Sequence, residues 1–189
     1  MTEVVNPLLR AVRYNVHTCL QSHTADELKA ISVKFCLPVH LLLFNVDGNM
    51  NIAMSIRTAA VLGCSDVWVI GKRTYDARPE VGSKNYINVH KLNTINLSTF
   101  FEENGLTPVL VEQGGKQLEE MNFKPFMTKP VCFVMGSESH GIPAELLAMK
   151  YPRVSISQYG LVRSLNVSIA ASIVMYEYLR QWRHSRKDI

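Results

Sequence analysis

Residues 160–168, GLVRSLNVS, join a β-rich run ending near Ser157 to a long helical pattern over 165–182. Ser164 and Asn166 are both of the type that caps a helix N-terminus. Within the helix, Val167, Ala170, Ala171, Val174 and Tyr178 fill one face, and Ile169, Ile173 and Tyr176 lie on another. A helix apolar nearly all round is buried on two sides. In a chain of 189 residues, a subunit interface is a natural cover for the second side.

Upstream, short β-rich runs at 39–46, 66–70, 86–91, 108–112, 131–135 and 154–157 alternate with helical patterns at 52–62, 98–104, 116–121 and 144–149. This alternation predicts an α/β fold, a mainly parallel sheet flanked by helices. Before Pro38 the pattern is purely helical. Leu8, Leu9, Val12, Val16, Cys19 and Leu20 predict a helix over 6–21, and Thr24 with Glu27 forms a capping box opening a second that reaches about Val33. The chain therefore divides into an N-terminal helical extension, 1–37, and a main domain, 38–189.

Ligands of open α/β sheets sit beyond the carboxyl ends of the strands, so the segments that follow strands matter most. In 45–63, NVDGNMNIAMSIRTAAVLG, Arg57 stands in an apolar helical pattern whose neighbours Ala53, Met54, Ala60 and Val61 offer no carboxylate. It is either a snorkelling or distantly paired arginine or a functional one. Asn51 is either a cap or a site residue. In 136–143, GSESHGIP, Gly136 and Gly141 bracket a turn that allows close approach to a ligand, and Pro143 suits a helix start. Glu138 fits equally a helix-start acid or a site acid, and His140 alone reads as a surface residue.

Composition narrows the function classes without naming one. With 47% hydrophobic and 19% charged residues the chain is ordinary globular material, and a net charge of +4 permits a polyanionic partner without demanding one. Lys72, Arg73, Arg78 and Lys84 fall in a loop-like segment, 71–84, which is either a solvated loop or a nucleic-acid contact. Cys19, Cys36, Cys64 and Cys132 lack metal-site spacing, and His17, Cys19 and His23 lack a fourth ligand, so no metal is expected. No membrane-spanning run or basic leader is present, which together with scattered cysteines predicts a cytoplasmic protein. Neither G-x-G-x-x-G nor G-x-x-x-x-G-K-[ST] occurs, which weighs against a dinucleotide oxidoreductase.

The three strand-following segments together resemble the SpoU-type (TrmH-like) branch of the SPOUT RNA 2′-O-methyltransferases over roughly 41–182. The resemblance rests on Asn51 followed six residues later by Arg57, on Gly136, Glu138 and Gly141, and on Ser164, Leu165, Asn166 and Val167 preceded by Gly160 and Arg163. VRSLNV, with Val111, Glu112 and Gln113, looks most like the catalytic domains of tRNA D-loop guanosine 2′-O-methyltransferases. The resemblance implies a C-terminal trefoil knot, a homodimer that completes the active site, and S-adenosylmethionine held near Val111, Glu112, Gly136, Gly141, Ile156 and Leu165. It implies a catalytic set of Arg57, Asn51, Ser164, Asn166 and Glu138, and a tRNA substrate, with guanosine-18 as target. Arg73, Arg78, Lys84 and Arg163 are then candidate RNA contacts. Ribosomal RNA, or a catalytically silent RNA-binding role, is the alternative. An arginine stays protonated in proteins, so Arg57 is expected to grip phosphate and ease the charge on the attacking oxygen rather than act as base.

Overall fold

The computed structural model describes residues 15–44, 46–71 and 74–186. The helix predicted over 6–21 falls largely outside them, and from residue 15 onward the chain forms only a 3₁₀ turn, Thr18–Leu20. That turn buries no residue, and a helix without packing support is marginal in water. Helix α1, Ala25–Phe35, starts where the capping box places it: Glu27 N donates to Thr24 Oγ1 at 3.3 Å, and Thr24 N to Glu27 Oε2 at 2.7 Å.

The strands are β1 Leu37–Phe44, β2 Cys64–Ile70, β3 Asn88–Leu92, β4 Thr107–Gln117, β5 Val131–Met135 and β6 Arg153–Ser155. They form a six-stranded sheet of order β3-β2-β1-β5-β4-β6, parallel at every pairing. The central strands read as unbroken apolar runs because both their faces are covered. Leu41 and Leu43 enter one core with α2, Asn49–Val61, and α5, Val167–Ser185. Leu42 enters the other, with α3, Phe100–Glu103, and α4, Ala144–Ala148.

The helix expected over 116–121 does not form. β4 runs on to Gln117 and is followed by a 3₁₀ turn, Leu118–Glu120. After Val111 the register with β6 slips, so that Val111 and Lys116 both stand opposite Val154. Residues 112–115 bulge out at the carboxyl end of the sheet as a result. The bulge helps shape the site.

Helix α5 is fixed along its whole length. Asn166 caps it, its Oδ1 accepting from Ser168 N at 2.9 Å and Ile169 N at 3.4 Å. Further along, Tyr178 meets Phe123 and Phe133 edge-on, at centroid distances of 5.5 and 5.7 Å, and Gln181 bridges Phe123 N and Met121 O. The opposite face keeps Ile169, Ile173 and Tyr176 exposed within one chain. This is the second apolar side that the sequence pattern places on the helix.

Candidate functional site

Glu138, in the turn after β5, lies against the N-terminus of α2. Its carboxylate accepts from Asp47 N at 2.7 Å, Gly48 N at 3.2 Å and Asn51 Nδ2 at 2.6 Å. Asn51 Oδ1 in turn accepts from Asn166 Nδ2 at 2.9 Å. Asn166 Oδ1, already capping α5, also takes Ser168 Oγ at 2.6 Å. One relay of polar groups thus ties the ends of three elements, with every side-chain amide given one orientation. Partial burial pushes the Glu138 carboxyl up, but the bonds from Asn51 and from the backbone N–H groups prevail and hold it below the usual carboxylate range. A carboxylate bonded in this way clamps the turn after β5 to the start of α2.

The turn itself is closed by a bridge between Ser137 and Gly141, with N···O distances of 3.1 and 2.9 Å. Gly141 has φ +66°, and a side chain on Gly136 would strike the Gly141 and Ile142 backbone. Both glycines are therefore required. Glu112, at the β4 bulge, accepts from Ile142 N at 3.3 Å, and Gln113 Nε2 donates to Arg163 O, which draws the 158–165 loop over the same opening. Between them lies a cleft of about 660 Å³. All six expected cofactor residues, Val111, Glu112, Gly136, Gly141, Ile156 and Leu165, line it, together with Glu138, Arg163, Ser164 and Asn166. The volume falls in the range of small-molecule sites, and the wall combines apolar side chains with a glycine turn that exposes backbone. S-adenosylmethionine, part nucleoside and part amino acid, suits such a wall.

Other expected residues stand elsewhere. Arg57 is exposed on α2 near exposed Met54 and Val61, and does not line the cleft. Glu138 fastens the turn after β5 to the start of α2. Arg78 is held by Asp76 through Nε at 2.9 Å and a terminal nitrogen at 2.6 Å, and Lys84 pairs with Glu80 at 3.1 Å. Arg73 lies outside the described residues. The sequence reading missed Ser139 and His140 as site residues: Ser139 Oγ donates to Asp47 Oδ2 at 2.6 Å and lies 2.7 Å from His140 Nδ1. Only the pairing of β1 with β5 brings Asp47 to this turn, so no local signal could have shown it. Among the described residues no group of metal-ligating side chains occurs and no helix is long and apolar enough to cross a membrane.

A parallel sheet with a glycine-bounded cleft at its carboxyl edge defines a cofactor-binding α/β protein, and comparison with known proteins specifies which. A family model described as the SpoU rRNA Methylase family matches residues 38–176. The tRNA (guanosine(18)-2′-O)-methyltransferase of Borreliella burgdorferi is 30% identical over 177 residues, covering 89% of this chain and 80% of that protein. Among solved structures, the AdoMet-bound rRNA methyltransferase of Sinorhizobium meliloti is 29% identical with a TM-score of 0.65, over 75% of this chain and 56% of that one. The TrmH/SpoU tRNA modifying enzyme of A. aeolicus shares the fold, with a TM-score of 0.71 at 24% identity over 85% and 83% of the two chains. The chain belongs to the SpoU methylase family, the RNA 2′-O-methyltransferases of the TrmH type.

Proposed function

We propose that this protein transfers a methyl group from S-adenosylmethionine to a ribose 2′-oxygen of tRNA, with guanosine-18 of the D-loop as the target. The observation that carries the reading is the Glu138–Asn51–Asn166 relay standing at the rim of a cleft lined by every expected cofactor residue. Bound in that cleft, S-adenosylmethionine supplies an electrophilic methyl carbon. The protein's task is then to hold the hydroxyl in line with that carbon and to ease the developing negative charge. Asn51 and Asn166, each fixed by two partners, are suited to orient the ribose, and Ser164 on the cleft wall adds a hydroxyl. Glu138 keeps both amides in register.

Arg57 enters this scheme across a homodimer. It is exposed beside the uncovered apolar side chains Met54 and Val61, and α5 leaves Ile173 and Tyr176 uncovered over a cleft of about 690 Å³ that reaches Thr58 and Leu62. A second copy laid on this face covers the apolar groups and carries each Arg57 to the partner's cleft. The guanidinium then grips the target phosphate bidentately and stabilises the nascent alkoxide. A knotted path of the last strands and α5 belongs to the same reading, as do a cytoplasmic setting and the division of the chain at residue 38.

Incubation with labelled S-adenosylmethionine and total RNA, followed by size separation, tests the substrate. Label in the tRNA fraction supports the reading. Label confined to ribosomal RNA overturns the tRNA assignment, and cofactor binding without transfer to any RNA points to a silent binding module.

A further inference from the structure

Another cleft, of about 440 Å³, opens along the outer edge strand β3, away from the cofactor site. Lysines reach it from three separate segments: Lys29 from α1, Lys84 from the turn at Ser83–Asn85, and Lys91 from β3. Asn85, Asn88 and His90 add polar side chains between them. Lys84 is partly neutralised by Glu80, and His90 leans on Asp66 at 2.7 Å. Lys29 and Lys91 have no carboxylate within ion-pair distance among the described residues; Lys91 Nζ instead lies 4.3 Å from the centre of the Tyr75 ring. Partial burial lowers the Lys29 ammonium from its usual range, the distant Asp66 offsetting this in part, so an anion placed there would relieve it.

Helix α1 is not part of the segment matched by the family model, which begins at residue 38. It is nonetheless anchored, Ser32 Oγ donating to Tyr86 O and Leu28 being buried. Its position brings Lys29 to the β3 cleft. The sheet register then sets the distance to the active site. Lys91 stands level with Val69, Leu43 and Met135 across β2, β1 and β5, and Met135 lines the cofactor cleft. Three strand spacings of about 4.8 Å make roughly 14 Å. A single RNA strand with its ribose at the cofactor cleft can span that distance.

We infer that the Lys29–Lys91 cleft is a second RNA-backbone site, gripping phosphodiester groups of the substrate beyond the nucleotide being methylated. The inference rests on the RNA methyltransferase reading above. Its test is the double variant Lys29→Gln/Lys91→Gln of the full chain, with total tRNA as probe and affinity measured between 50 and 200 mM KCl. Each lost phosphate contact flattens the plot of log affinity against log salt by about 0.7–0.9, so two should flatten it by about 1.4–1.8. The ratio of wild-type to variant affinity then shrinks by roughly 7- to 12-fold over that fourfold salt range. Lys29→Arg/Lys91→Arg should keep the wild-type slope, and S-adenosylmethionine binding should be unchanged in both variants. An unchanged slope in the glutamine variant, with wild-type protein active, overturns the inference alone. If inorganic phosphate or a mononucleotide at equal concentration displaces the tRNA, the site serves small anions and the inference also fails. Wild-type protein that binds no RNA overturns the parent reading instead.

Discussion

Asn166 performs two separable tasks with one amide. Its oxygen caps α5, and its nitrogen donates to Asn51. Asn166→Ala should therefore lose the cap, lowering stability by about 0.5–2 kcal/mol in denaturant titration. Asn166→Asp keeps acceptors for the cap but has no N–H for Asn51, so it should lose less stability than Asn166→Ala while kcat falls roughly 2- to 12-fold, the worth of one neutral hydrogen bond. Equal loss of activity and of stability in both variants would count against the positioning role. Glu138 offers a test in pH. Its folded pKa lies below its ordinary value of 4.5, so its contribution to stability is full above that value and is lost as pH falls through the lower folded one. Tm measured from pH 7 downward should show wild type above Glu138→Gln at neutral pH, with the gap closing only below about 4.5. At Arg57 the phosphate-clamp role is tested by comparing substitutions: Arg57→Lys should recover part of the rate that Arg57→Ala loses, and equal inactivity with intact RNA binding would exclude a purely electrostatic role.

At the level of elements, how much was legible followed from how local each signal is. β5 was placed at 131–135 because an unbroken apolar run between Pro130 and Gly136 has few other readings, and the Thr24 capping box fixed the start of α1. The stretch 116–121 misled because Leu118 and Met121 stand at helical spacing. Its actual state depends on Lys116 and Gln117 pairing with β6 across a bulge, a non-local contact that no window of sequence contains. The site divides in the same way. Cleft residues sit within motifs, whereas the contact of Ser139 with Asp47 arises only when β1 and β5 lie side by side. Helix α5 supplies its own test. The Tyr178 hydroxyl is buried without a hydrogen-bond partner among the described residues, and burial pushes its pKa up to about 12. Tyr178→Phe removes an unsatisfied group while keeping the ring packed on Phe123 and Phe133, so stability should rise by about 1 kcal/mol, or roughly 2–4 °C in Tm. A fall in Tm would mean that the hydroxyl has a partner.

For the whole molecule, a relay and cofactor cleft built within one chain contrast with an exposed Arg57 that does not line the cleft. If the site is completed by a second copy, two impaired variants should complement each other. Mixing Arg57→Ala with Asn166→Ala after dissociation and reassociation should raise activity above the mean of the two separate variants, since half the random pairs are mixed and each mixed pair holds one intact site. No recovery, from variants shown to exchange subunits, would place Arg57 in its own chain's site. The chemistry itself is tested most directly at the nucleoside. tRNA methylated by the protein with labelled S-adenosylmethionine is digested to nucleosides, and the labelled species is identified by chromatography and mass. The expected product is 2′-O-methylguanosine, whereas label on a base, with the ribose unmodified, would contradict the account.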